Sequence, residues 1–153
     1  MNLPVTPSVI DANVAIWAAI PLASPSAARM ARHLLEQLDA IIVPALWVYE
    51  VTSTIHKIAV TRRFPEPAAL TILEQLFRLP DDIVPADAGL AEAAYRWATR
   101  LDQSKAYDAA YLALAERLGA PFWTGDQRLY RRARQVSADF VQWLGEASAA
   151  GPR

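Results

Sequence analysis

Four acidic residues lie where apolar, strand-like runs give way to helical ones. They are Asp11 in "VIDANVAIW", Glu50 in "VPALWVYEV", Asp108 in "AYDAAYLALAERLG" and Asp126 in "WTGDQRL". A carboxylate among apolar neighbours loses solvation, which disfavours its charged form. Packed together, four carboxylates also repel one another, so the cluster needs a cation or raised pKa values. Hard oxygen ligands favour Mg2+ or Mn2+ over zinc. The chain has no cysteine and two histidines, so thiolate chemistry, a cysteine zinc site and a disulfide framework are excluded. His33 and His56 both fall inside helical stretches, where structural or surface roles suit them.

Each acid also has an ordinary reading. Asp11 and Asp126 precede helical segments and could simply cap them. Glu50 shares a helix face with Ser53, Thr54 and Lys57, which could be solvated surface. Asp108 is harder to dismiss, because its helix is apolar nearly all round from Ala109 to Ala115 and so reads as buried. Taken jointly, the four favour a site. Asn13 could hydrogen-bond a ligating carboxylate or a bound water, and Thr124 could orient Asp126. Both residue types are equally at home in strand-to-helix turns.

The elements that must position these residues alternate, with short β-like runs between longer helical ones. That is the pattern of an α/β protein with a parallel sheet. Strands are predicted at "SVID", "AIIVP", "DIVPA", "APFWT" and "DFVQW". Helices are predicted at "SAARMARHLLEQL", "ALWVYEVTSTIHKIAVT" (introduced by Pro44), "EPAALTILEQLFRL", "AGLAEAAYRWATRL", "AYDAAYLALAERLG" and "DQRLYRRAR". Gly119 stands where a C-terminal glycine cap belongs. In an open parallel sheet, ligands bind outside the carboxyl ends of the strands, near the point where strand order reverses. Asp11, Glu50 and Asp126 follow strands at that end. Asp108 joins them if its helix starts at the same edge.

At 153 residues, 54% apolar and 20% charged, the chain reads as one compact domain. Its start, "MNLPVTPSVIDANVA", has neither a basic n-region nor an uninterrupted apolar stretch, so no secretory signal is predicted. The segment "AIWAAIPLA" is broken by Pro21 and is shorter than the roughly 20 residues of a membrane span. A cytoplasmic protein without membrane contact is expected. The net charge of −1 gives no whole-molecule attraction to polyanions, so such a partner needs a local basic patch. Arg128, Arg131 and Arg132 offer one at i, i+3 and i+4, with Leu129, Ala133 and Val136 turned toward the core. Arg62 and Arg63 form a second small cluster. Solvated surface accounts for either as well.

The segments "VIDANVAIW", "VPALWVYEV" and above all "AYDAAYLALAERLGAPFWTGDQRL" resemble the PIN domain family, and within it the small bacterial toxins of the VapC type. The likeness runs from residue 8 to about 141 and rests on the order and spacing of all three motifs. It implies a single three-layer α/β/α domain over residues 1–145, with a central parallel sheet of four to five strands and a flexible tail from 146 to 153. It further implies an Mg2+- or Mn2+-dependent endoribonuclease acting on RNA, the toxin of a type II toxin–antitoxin pair. Such toxins usually form homodimers and are silenced by a co-encoded antitoxin. The family's acidic quartet falls on Asp11, Glu50, Asp108 and Asp126, with Asn13 at its small polar position. By that analogy Asp11, Asp108 and Asp126 hold the metal, and Glu50 binds it through water or orients the attacking water. Gln127 and Arg128 stand where some relatives carry a further acid, which removes a ligand from a second metal position.

Within the same resemblance, the arginine face after Asp126 could contact RNA phosphate or an acidic antitoxin tail. Aromatic side chains could stack on unpaired bases, although Trp17, Trp47 and Trp123 adjoin predicted strands or their helices and are expected in the core. "ALWVYEVTSTI" serves a dimer surface or a core equally well. A PIN-like module that binds RNA or protein without cutting is the alternative. A haloacid-dehalogenase-type phosphotransferase wants a second Asp where Asn13 stands, and a receiver domain wants paired acids after the first strand, so neither fits.

Overall fold

Val9 and Ile10 are wholly buried in the middle strand of a five-stranded parallel sheet. A strand covered on both faces carries consecutive apolar residues rather than an alternation, as Val9 and Ile10 do, with Ser8 beside them a buried polar residue. The computed structural model describes residues 4–21 and 25–149. The elements follow in order: β1 (Pro7–Ile10), α1 (Ala12–Ala19), α2 (Pro25–Gln37), β2 (Ala40–Pro44), α3 (Leu46–Arg62), α4 (Glu66–Phe77) and β3 (Asp82–Val84). Then come α5 (Ala88–Arg100), α6 (Tyr107–Leu118), β4 (Phe122–Thr124), α7 (Gln127–Gln135), β5 (Val141–Trp143) and α8 (Leu144–Ala149).

The strand order is β3-β2-β1-β4-β5, and every pairing is parallel. The chain therefore steps outward from β1 in one direction through β2 and β3, then crosses back to β4 and continues the other way. Right-handed crossovers place helices on opposite faces for the two directions. Accordingly α1 packs on α2, α3 and α4, while α5 packs on α6. This is the expected three-layer α/β/α arrangement, and the order of strands reverses between β1 and β4.

The core is built from helix stripes facing the sheet. Trp47, Val51, Ile55 and Ile58 repeat at helical spacing along α3 and are buried. In α6, Tyr111, Leu112, Ala113, Leu114 and Ala115 are all buried, so that helix is enclosed nearly all round. It ends at Gly119, whose φ of 60° closes the last turn on the carbonyls of Ala115 and Glu116. β4 begins three residues later, so α6 runs against the strands and starts at their carboxyl edge.

Two expectations change. Pro44 closes β2 instead of opening the next helix, which begins at Leu46. Of the expected tail, residues 150–153 fall outside the described residues and 146–149 lie in α8. The anchor of α8 is Leu144, 1% exposed and packed with Val14, Ala31 and Leu34 in a second small core that joins α1, α2 and α8. Trp47 is buried as expected, but Trp17 is only partly covered and faces a cleft described below.

Candidate functional site

Asp11 occupies the N-cap position of α1 yet makes no side-chain cap bond. Its Oδ2 instead accepts from Thr124 Oγ1 at 2.8 Å and from Asn13 Nδ2 at 3.2 Å. Asn13 Oδ1 in turn accepts from the Gly125 N–H at 3.0 Å, and Thr124 Oγ1 from the Asp126 N–H at 3.0 Å. These bonds tie the carboxyl ends of β1 and β4 together at the point where strand order reverses. Thr124 thus orients the carboxylate of Asp11 as well as holding the backbone of Asp126, the partner the sequence suggested. Asn13 takes the first of its two expected partners, a carboxylate.

Asp11 is 8% exposed. Burial pushes its pKa up to about 7; the Thr124 bond opposes this, and the charges of Glu50 and Asp108 add to it. Glu50, in the second turn of α3, is half-buried and its pKa is raised mainly by burial, with Asp108 adding repulsion. It accepts a hydrogen bond from the Tyr111 hydroxyl at 2.7 Å, which opposes that rise. Asp108 sits in the first turn of α6, half-buried, and accepts from Gln103 Nε2 at 3.1 Å. Burial is the main cause of its raised pKa; Gln103 opposes the rise, Asp126 reinforces it and Arg132 lowers it. Asp126 is exposed and does cap α7, its Oδ1 accepting from the N–H groups of Arg128 and Leu129 at 2.8 and 3.1 Å. The ordinary reading therefore holds for one of its oxygens, and the cap does not use Oδ2.

Three adjoining clefts carry the four acids. A cleft of about 520 Å³ is lined by Asp11, Asn13 and Glu50 together with Trp17, Tyr49 and Tyr107. A second, of about 490 Å³, shares Glu50 and Tyr107 with it and adds Asp108 and Lys105. A third, of about 440 Å³, shares Asp108 with the second and adds Asp126, Arg128 and Arg131, while Arg132 lines both. The result is a groove along the carboxyl edge of the sheet, with acids along its length and arginines at one end. Arg62 and Arg63, at the C-terminus of α3, line none of these clefts, and His33 and His56 are exposed.

The PIN domain family model matches residues 8–135. The chain belongs to the PIN domain family. Solved structures share the fold at low sequence identity. PAE2754 from Pyrobaculum aerophilum superposes with a TM-score of 0.65 at 20% identity, covering 96% of this chain and 99% of that one. VapBC2 from Rickettsia felis, bound to a DNA fragment from its promoter, gives 0.63 at 12% identity over 90% and 98% of the two chains. Mycobacterium tuberculosis VapC20, a sarcin–ricin loop cleaving toxin, gives 0.57 at 20% identity over 80% and 92%. No curated protein sequence matches this chain.

In this PIN domain the donor set is chemically suited to a hard divalent cation: four carboxylates, three of them raised by burial and, in part, by one another's charge. Among the described residues, however, no three acidic or histidine side chains are grouped closely enough to hold one metal ion. The direct three-carboxylate grip expected of Asp11, Asp108 and Asp126 is therefore not formed by the side chains as they stand. Mg2+ usually retains several waters and takes only one or two carboxylates directly, so an open groove of this kind fits such an ion better than a closed cage would.

Two contributors escaped the sequence. Tyr111 lay hidden in the apolar run of α6, though a tyrosine in such a run carries a hydroxyl that needs a partner. Gln103, in the loop before α6, gave no signal at all. Its Nε2 engages Asp108, and its Oε1 is buried without a partner among the described residues.

Proposed function

We propose that this PIN domain is a divalent-metal-dependent endoribonuclease, the toxin of a toxin–antitoxin pair. The observation that carries the reading is the burial of Asp11 at the strand-order reversal, beside Glu50 and Asp108, whose charges it feels. A fold that holds carboxylates against their own repulsion is arranged for a cation. The likeness to VapBC2 and to VapC20, a cleaving toxin, supports the toxin assignment. In the same reading residues 1–145 are the nuclease unit, the protein acts in the cytoplasm as a homodimer, and a cognate antitoxin occupies the groove. Among the described residues, no helix is long and apolar enough to cross a membrane.

In the proposed mechanism, Asp11, Asp108 and Asp126 would hold Mg2+ or Mn2+, directly or through water, with Glu50 at the same ion's water shell. The ion would supply charge neutralisation at the phosphoryl group and a water of lowered pKa. The protein's own part is positional. Thr124 and Asn13 fix one oxygen of Asp11, and Tyr111 fixes one of Glu50. Arg128, Arg131 and Arg132 line the end of the groove where they can bind RNA phosphates or an acidic segment of the antitoxin.

The absence of a grouped three-ligand set among the described residues favours a second reading, a module that binds RNA or protein without cutting. Cleavage of a mixed RNA pool separates the two. Wild type should cut with Mg2+ or Mn2+ and not in EDTA, and Asp11→Asn should lose at least about a hundredfold in rate while its circular dichroism stays that of the folded protein. Undiminished cutting by Asp11→Asn overturns the mechanism, and no cutting by wild type favours the second reading.

A further inference from the structure

The 520 Å³ cleft contains more aromatic surface than a metal site requires. Trp17 from α1, Tyr49 from α3 and Tyr107 from the start of α6 converge on it beside Asp11 and Glu50. Tyr49 and Tyr107 are 74% and 59% exposed, so their rings do little for the core. Neither phenol has a hydrogen-bond partner among the described residues. Trp17 is fixed from behind, since its ring fills the space that any side chain at Gly125 would need.

The polar lining of the cleft is set apart as well. Thr52, Thr61, Thr71 and Thr99 each donate their hydroxyl to the backbone carbonyl four residues earlier, the common arrangement for threonine in a helix. Thr54 does not, and neither does Ser53 beside it; both face this cleft. Their hydroxyls are free to meet a ligand.

From these two observations we infer that the cleft is a nucleobase subsite, where one unpaired base of the RNA stacks among Trp17, Tyr49 and Tyr107 with its polar edge toward Ser53 and Thr54. The inference rests on the nuclease reading only for the chain that carries the base. Its volume falls within the roughly 300–1,000 Å³ usual for small-ligand pockets. Every base presents a π-face, and sequence-specific reading of RNA favours bases splayed out of their helix. A phosphate gains little from three rings, and the arginines that suit phosphate line the third cleft (Arg132 the second as well) and none lines this one. The groove is thus divided, with base at one end, backbone at the other and acids along the whole of it. RNA would be cut beside an unpaired nucleotide, and a fully paired duplex would be refused.

The test uses the full chain in EDTA, so that binding is read without cleavage. The probe is a labelled, unstructured ten-nucleotide RNA, compared with an abasic oligonucleotide of the same length. Wild type should bind the intact probe about tenfold or more tightly than the abasic one. The double variant Tyr49→Ala/Tyr107→Ala should lose that preference while melting at the wild-type temperature, since both rings are exposed. In the presence of Mg2+ the double variant should show a raised KM with kcat little changed. Equal preference for the intact probe in wild type and double variant overturns the subsite. So does a variant that has lost only capture of a peptide partner, which would assign the cleft to protein. Base-dependent binding without any cutting keeps the subsite and removes the nuclease reading, so the two fail separately.

Discussion

At the scale of single residues, Asp11 carries a protonation preference that can be measured. Its folded pKa of about 7 stands above the roughly 4 of an unfolded aspartate. Below about pH 4 both states are protonated and the folded protein keeps its full stability. As pH rises toward 7 the unfolded chain gives up its proton first, and stability is lost through the folded pKa. In EDTA, the melting temperature of Asp11→Asn minus that of wild type should therefore grow by several degrees between about pH 4 and 7. Thermal denaturation at stepped pH reads this directly, and a flat difference would mean that Asp11 bears no such burden. The candidate acids were legible in the sequence because each sits at a junction between a strand-like and a helical run. Their partners were not. Thr124 lies 113 positions from the carboxylate it holds, so no local pattern joins them, and adjacency pointed only to Asp126, whose backbone it also holds. Tyr111 was unreadable for another reason, since a buried aromatic in an apolar helix looks like packing until the acceptor for its hydroxyl is seen.

At the scale of elements, the sequence located the strands and most helices to within a residue or two. β2 falls on the predicted "AIIVP" itself, because a run of β-branched residues bounded by a proline leaves few alternatives. α8 was missed because its Gly-, Ala- and Ser-rich sequence has little helical signal of its own and depends on Leu144 being buried against α1 and α2. The placement of Trp17 was missed because a helix of only eight residues gives too little periodicity to separate a core face from a cleft wall. Its contact with Gly125 yields a prediction about the β4–α7 turn. Gly125→Ala forces a Cβ into the Trp17 ring, and an overpacked site of this kind costs about 1–3 kcal/mol. Trp17→Ala in the same chain should relieve the clash, so the double mutant should be more stable than the two single changes predict by addition. Chemical denaturation of the four proteins checks the cycle, and strict additivity would show that the ring yields freely.

At the scale of the whole molecule, a net charge of −1 conceals a strong asymmetry. Acids run along the whole groove, while Arg128, Arg131 and Arg132 are gathered at its third cleft, Arg132 reaching the second as well. Binding of single-stranded RNA should therefore depend on salt through these arginines rather than through overall charge. Each phosphate neutralised on a single strand contributes about 0.7 to the slope of log affinity against log salt. Replacing all three arginines by alanine should thus reduce that slope by about 2, measured by fluorescence anisotropy across a salt series. An unchanged slope would place the backbone elsewhere. This asymmetry was partly legible, since the i, i+3, i+4 spacing put the arginines on one face. Only the fold showed which groove that face meets.

The bridge between Asp11 and Thr124 has a consequence for synthesis. Because β4 pairs directly with β1 while most of the chain lies between them, an emerging polypeptide cannot assemble the centre until about four-fifths of it has left the ribosome. Prematurely terminated products that stop just short of β4 would possess the first three strands and three of the four acids, yet no means of holding Asp11 in place. The activity proposed for the finished molecule is accordingly withheld until translation is nearly done.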